Sequence, residues 1–185
     1  MKNNNLKNIF LEGDSIYLRP LELKDIEGNY VKWLNDEDVV KHNSHGRFPI
    51  NSYRLKGYVT MTTDSNNCVV LAIIHKKQET HIGNISLQSI NWVDRNAEIS
   101  FILGEKSFWS KSIMFEAGKL LINHAFKKLN LHRIYCGTSS LNIGMQKLAL
   151  KLGMIYEGER KEAIFKNDKY YSIIEFGILN NLNNK

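Results

Sequence analysis

The stretch Ala97-Glu98-Ile99-Ser100-Phe101-Ile102-Leu103, running on through Phe108-Trp109-Ser110-Lys111-Ser112 into Ile113-Met114-Phe115-Glu116-Ala117, decides the fold. Its first seven residues set apolar Ala97, Ile99, Phe101 and Leu103 against Glu98 and Ser100, a pattern that predicts a strand. Gly104 to Lys111 reads as a loop. From Ser112 onward Ile113, Ala117, Leu120, Leu121, Ala125 and Leu129 repeat at the spacing of one helix face, so a long helix is expected through Leu129. Downstream, His132 to Thr138 predicts a strand and Asn142 to Leu152 a helix stopped by Gly153. Met154 to Phe165 and Tyr170 to Leu179 predict two strands joined at Asn167-Asp168. Strand, helix, strand, helix, strand in succession implies an α/β (α+β) domain whose mixed sheet has a partly parallel centre.

Upstream, Cys68 to His75, Thr80 to Ile90 and Ala97 to Leu103 form an antiparallel meander, turned at Lys76 to Glu79 and at Asp94-Arg95-Asn96. Ile16 to Arg19 is a short strand closed by Pro20. Asp25 to Leu34 carries Ile26, Tyr30, Val31, Trp33 and Leu34 at helical spacing. Asn35-Asp36-Glu37-Asp38 breaks that helix and is placed to cap a second short one through His42. Asn43 to Pro49 is a polar loop, and Asn51 caps a helix to about Thr63. There is no internal repeat and no linker.

A chain of 185 residues suits one domain, and it buries roughly 70% of its unfolded surface without staples. With 43% hydrophobic residues, two prolines and twelve glycines, collagen-like and linker-like classes are excluded. The net charge of +6 comes from 25 basic against 19 acidic residues. Residues 1–100 hold 12 of each, whereas residues 101–185 hold 13 basic and 7 acidic, so the excess lies wholly in the second half. That placement suits an anionic ligand there, and its plainer role is a solvated basic face. Cys68 and Cys136 lie in apolar runs and read as buried free thiols, not as a disulfide. His42 and His45 are near neighbours with nothing beside them to complete a metal set. The N-terminus has no signal-peptide core, and the longest apolar run, Cys68 to Ile74, is far short of the ~18 residues of a membrane span, so a cytoplasmic protein is expected. The Asn-rich ends predict tails at 1–10 and 181–185 around a domain at 11–180.

The stretch quoted first, with Leu131-His132-Arg133-Ile134, Asn142, Lys151-Leu152-Gly153-Met154, Glu157-Gly158 and the Asn167-Asp168 hairpin, resembles the GNAT superfamily of N-acetyltransferases. Ile16-Tyr17-Leu18-Arg19-Pro20-Leu21 and Trp33-Leu34-Asn35-Asp36 narrow the resemblance to the branch of ribosomal-protein N-terminal acetyltransferases, and it spans nearly the whole chain. It implies one GNAT-like domain: a mixed sheet splayed at its centre between the strands ending at Leu103 and starting at His132, with helices on both faces. Acetyl-coenzyme A would sit in the splay. Its pantetheine would meet the unpaired strand end at Phe101, Ile102 and Leu103, with Asn142 beside it, and Lys147 is a candidate partner of its phosphates. Its pyrophosphate would meet the Trp109-Ser110-Lys111-Ser112-Ile113-Met114 loop at a helix N-terminus. Lys111 is a phosphate partner or a solvated loop lysine, and Asn142 is also placed to cap the helix that follows it. The chain departs from the branch here: Ser110 and Ser112 stand where glycines are usual, and Met114 where a small residue is usual.

The implied reaction is direct attack of an amine on the thioester, helped by a base and by a donor to the oxyanion, which a backbone amide near Leu103 would supply. Glu98 is the candidate base, with a cross-strand ion pair as its plainer role. Glu162 is weaker, since the base position of one relative group aligns with Ile164. The usual acid positions hold Ala149 and Met145, which leaves Ser139, Ser140 or solvent. Trp33, His42, Arg47 and Trp92 are acceptor-binding candidates, followed by His45, Phe48 and Tyr171. The acceptor amine is a protein N-terminus, a small amine or a nucleotide-linked amino sugar. A non-catalytic acyl-coenzyme A sensor is the alternative, and a nucleic-acid binder ranks last for want of aromatics along a basic stripe. No metal and no membrane partner are expected, and the sequence does not choose between monomer and homodimer.

Overall fold

Alternation along the strands divides the interior in two. The computed structural model describes residues 8–43 and 45–180. Its elements in chain order are β1 (Leu11–Glu12), β2 (Ile16–Pro20), α1 (Tyr30–Asn35), α2 (Ser52–Thr63), β3 (Val69–His75) and β4 (Thr80–Asn91). There follow β5 (Asn96–Leu103), α3 (Ile113–Lys127), β6 (Arg133–Ser139), α4 (Ile143–Lys151), β7 (Ile155–Lys166) and β8 (Lys169–Leu179). The strands form one eight-stranded sheet in the order β1-β2-β3-β4-β5-β6-β8-β7. Only β5 and β6 run parallel; the other neighbours are antiparallel.

Because strand side chains point alternately to opposite faces, Ile16, Leu18, Leu71 and Ile73 fall on one face, with Ala117, Leu121 and Ala125 of α3. Tyr17, Ala72 and Ile74 fall on the other, with Trp33 and Leu34 of α1 and Leu55 and Val59 of α2. Each fully buried Leu or Ile contributes roughly 1.5–3 kcal/mol, which is why helices cover both faces. The expected mixed sheet with a partly parallel centre is therefore the observed architecture.

Three local expectations change. The helix expected from Asp25 to Leu34 is a 3-10 turn at Leu23–Glu27 and a separate α1, divided at Gly28-Asn29. Asp25 is the cause: its carboxylate accepts from Glu22 N–H at 2.8 Å and receives both Arg19 nitrogens, which pins the turn to β2. The second short helix through His42 does not form. The Asp36 carboxylate accepts from Asp38 N–H at 3.0 Å and Val39 N–H at 3.4 Å, and the chain passes through turns instead. The long helix ends at Lys127, two residues before Leu129. Asn51 caps α2 as expected, accepting from Arg54 N–H at 2.9 Å.

The tail expectations for 1–7 and 181–185 lie outside the described residues. Phe10 donates its N–H to Leu18 O at 2.8 Å, and its ring meets His124 edge-on. Asn180 is only 4% exposed, and its N–H reaches His132 O, so it belongs to the packed domain.

Candidate active site

β5 and β6 stay together for three residue pairs, Asn96 with Arg133, Ala97 with Ile134 and Glu98 with Tyr135. Beyond Glu98, β5 keeps its register with β4 as far as Leu103, while β6 keeps its register with β8 as far as Ser139. Each strand follows its antiparallel partner, and a cleft of about 1280 Å³ opens between them. Ile99 to Leu103 form one wall and Cys136 to Ser139 the other.

The ladder shows which backbone groups the split leaves over. Gly104 N–H bonds to Ile82 O, so by antiparallel alternation Ile102 and Ser100 direct their backbone groups to β4. Phe101 and Leu103 direct theirs into the gap. The Leu103 carbonyl is taken by the Trp109 indole N–H at 2.9 Å. The Leu103 N–H and both backbone groups of Phe101 then face the cleft, a short strand edge able to hydrogen-bond amides.

The loop into α3 closes one end. Ser110 (φ 63°) and Ser112 (φ 55°) both adopt the left-handed conformation, although each carries a Cβ. That costs roughly 1–2 kcal/mol per residue, a cost that the glycines implied there by the family resemblance would not carry. The first helical bond runs from Glu116 N–H to Ser112 O, so the N–H groups of Ile113, Met114 and Phe115 have no partner within the helix. All three residues line the cleft. Glu116 would oppose an anion there, but its carboxylate is turned onto Ser15 and Ile16, where it accepts two backbone N–H groups and the Ser15 hydroxyl. Met114 lines the cleft while its side chain also packs against the core beneath α3.

Lys111, Lys147 and Lys151 line the same cleft. Lys111 Nζ lies 5.1 Å from the centre of the Phe108 ring, and Lys151 Nζ 4.4 Å from that of Phe115. Asn142 caps α4, its Oδ1 accepting from Met145 N–H at 3.1 Å, and the residue also lines the cleft. Phe101, Ile102, Leu103, Asn142, Lys147 and every residue from Trp109 to Met114 thus meet around one space.

Glu98 sits where the strands part, half-buried, in the cleft wall. Burial pushes its carboxyl up, the nearby Glu175 carboxylate adds to this, and Arg160 opposes it. Glu175 reaches this position across Gly137, where a Cβ would stand 3.0 Å from its carboxylate oxygen, and it accepts from Arg160 Nε at 2.6 Å. Cys136 is buried and its thiol is pushed up to about 12 by burial and by the surrounding glutamates, which keeps it a neutral core residue. Ile164 lines the cleft and the exposed Glu162 does not. Of the acid positions, Met145 lines the cleft and Ala149 is fully buried; Ser139 lines the wall on β6, as does the neighbouring hydroxyl residue Thr138.

The acceptor candidates divide. His42 and His45 line the cleft. Trp33 does not: it is 4% exposed, its indole N–H donates to Glu105 at 3.1 Å, and its ring fills the space beside Gly104. It is a prop beneath the end of β5, because α1 buries the face on which it lies. Trp92 sits on the β4–β5 turn, outside the cleft lining, and donates to Asn66 O at 3.1 Å. Arg47 is also outside the lining and donates to Phe165 O on the β7–β8 hairpin at 3.3 Å.

Sequence reasoning missed the floor on the α2 side, made by Asn84, Ser86 and Gln88 of β4 with Tyr58 of α2. The signal was available: these polar residues alternate with Ile85 and Leu87, so β4 has a polar inner face.

A family model described as an acetyltransferase (GNAT) domain matches residues 15–155. The chain belongs to the GNAT acetyltransferase family. It is 30% identical over 182 residues to a probable N-acetyltransferase, YjcK, of Bacillus subtilis, covering 92% of this chain and 97% of that one. The fold matches spermidine N-acetyltransferase from Vibrio cholerae, solved with CoA and spermine, with a TM-score of 0.83 and 22% identity over 91% of this chain and 97% of that one. It also matches the ribosomal L7/L12 acetyltransferase RimL, solved with coenzyme A, with a TM-score of 0.82 and 15% identity over 90% and 95% of the two chains. Among the described residues of this GNAT enzyme no group of three or more His, Cys, Asp and Glu is placed to hold a metal ion, and no helix is long and apolar enough to cross a membrane.

Proposed function

We propose that this GNAT N-acetyltransferase binds acetyl-coenzyme A in the β5–β6 cleft and passes its acetyl group to a primary amine entering from the α2 side. The early parting of β5 from β6 carries the reading, because it leaves Leu103 N–H and the Phe101 backbone without strand partners beside a helix N-terminus. The pantetheine amides pair with that edge. The pyrophosphate takes the first-turn N–H groups of α3, with Lys111 and Lys147 nearby.

The amine nitrogen attacks the thioester carbonyl, its C–N bond forms and the oxyanion takes Leu103 N–H. Glu98, held as a stronger base by its surroundings, takes the ammonium proton through a chain of waters, because it stands five residues, roughly 16 Å of strand, before Leu103. The C–S bond breaks, and the thiolate leaves with a proton from Ser139 or solvent. Acetyl-coenzyme A raises Tm in a thermal shift, and an amine panel then releases free thiol. No shift at millimolar acetyl-coenzyme A would sink the assignment. Binding without turnover on any amine would identify an acyl-coenzyme A sensor, which Met145 and Ala149 at the usual acid positions favour.

A further inference from the structure

The acceptor half of the cleft has a chemistry of its own. Its floor pairs β4 with β5 in register, Asn84 opposite Ile102, Ser86 opposite Ser100 and Gln88 opposite Glu98. Apart from Glu98 and the apolar Ile102, these side chains are neutral hydrogen-bonding groups. Asn84 and Ser86 are each only 5% exposed. The Asn84 Oδ1 lies 2.9 Å from His81 Nε2, and its side chain also interacts with the buried Tyr30 hydroxyl, which holds the amide in place in the floor.

The mouth is cationic. Lys41 and Arg54 line it. Beside them Lys166 of the β7–β8 hairpin donates to Val40 O at 2.6 Å, which fixes the hairpin tip against the 36–50 loop and brings Arg47 to Phe165. His42 is held below the ordinary imidazole range by burial and then by Lys41 and Lys166. Among the described residues Asp38 and Glu98 are the acids lining the cleft, and Asp38 is already paired with Lys106 at 2.6 Å. A polyamine would meet mostly like charge at this entrance. Phe48, just outside the cleft lining, is 67% exposed, and the guanidinium carbon of the lining Arg54 is 6.0 Å from its ring centre. A flat apolar face beside a guanidinium suits a planar base next to a phosphate.

We propose that the acceptor is an amino sugar esterified to phosphate: the polar floor holds the sugar hydroxyls, the cationic mouth holds the phosphate, and the amine faces the free β5 edge, with waters leading to Glu98. This rests on the acetyltransferase reading given above. The products are the N-acetylated sugar phosphate and coenzyme A, with the ester bond to phosphate untouched.

Glucosamine 1-phosphate, glucosamine, spermidine and an acidic-N-terminus peptide are compared as acceptors by thiol release. In parallel, UDP, uridine and inorganic phosphate are titrated by calorimetry into the protein saturated with coenzyme A. Glucosamine 1-phosphate is expected to show a kcat/KM at least tenfold above glucosamine. The double variant Lys41→Ala, Arg54→Ala is expected to erase that preference while coenzyme A affinity stays within twofold. UDP binding at least tenfold tighter than both uridine and inorganic phosphate marks a nucleoside-diphosphate carrier; turnover of glucosamine 1-phosphate without that margin marks a free sugar phosphate. Equal turnover of glucosamine and its phosphate, or preferred turnover of spermidine or the peptide, overturns the proposal and leaves the acetyltransferase intact. Failure to bind coenzyme A at all overturns the parent reading instead.

Discussion

At the residue scale, the proposed base Glu98 takes its character from its position. It occupies the last paired position before the strands part, where burial and Glu175 raise its carboxyl against the pull of Arg160. Glu98 must be ionised to accept a proton, so kcat/KM falls as pH drops through its raised value. Glu98→Gln is expected to lower kcat by roughly 10²-fold and to abolish that acid limb. Glu175→Gln removes the like charge and moves the limb to lower pH, whereas Arg160→Gln moves it higher. A pH–rate profile unchanged in all three variants would remove Glu98 from the chemistry. Glu98 was legible in the sequence because strand alternation places it on the polar face with Ser100. Its partners were not, since Glu175 and Arg160 lie about 80 and 60 residues away and meet it only through sheet order. Trp33 misled for the same reason: its size suggests a platform, and only packing shows it filling the space beside Gly104.

At the scale of elements, the loop into α3 carries backbone strain. Ser110 and Ser112 are left-handed, and the Ser112 side chain makes no capping hydrogen bond. Ser112→Gly is expected to stabilise the protein by about 1 kcal/mol, raising Tm by roughly 2–4 °C, without weakening coenzyme A binding. A lower Tm measured by calorimetry would show that the serine hydroxyl compensates its backbone. The sequence placed this loop and its helix correctly, because the apolar repeat of α3 is strong and the deviation from glycine is visible. The 23–42 region was harder to read. Helical spacing was present, but the Asp25 and Asp36 carboxylates bond to local backbone N–H groups and break the chain into turns.

At the scale of the whole molecule, Asp25 joins the acceptor side to the sheet. It is 5% exposed, paired with Arg19, with His81 Nδ1 at 3.6 Å. Burial pushes its carboxyl up, but the Arg19 guanidinium and Glu22 N–H outweigh this and hold it below its ordinary range. A depressed carboxyl stabilises the fold fully above its unfolded value and loses that contribution as pH falls through the folded one. Asp25→Asn leaves Arg19 buried without its partner and is expected to cost about 3–5 kcal/mol at pH 7. Urea midpoints of wild type and variant are expected to converge on acidification; a gap that persists undiminished at pH 3 would contradict the pairing. Periodicity, turn residues and the order of elements determined the mixed sheet and most of its strands and helices, because these depend on side-chain patterns within single elements, while the GNAT character was read from the resemblance of its motifs. Tertiary structure alone decided where β5 leaves β6, which backbone groups remain unpaired, and which lysines, glutamates and polar β4 residues share one cleft. Those contacts join residues far apart in sequence, and pattern within one element carries no information about what the opposite wall will be.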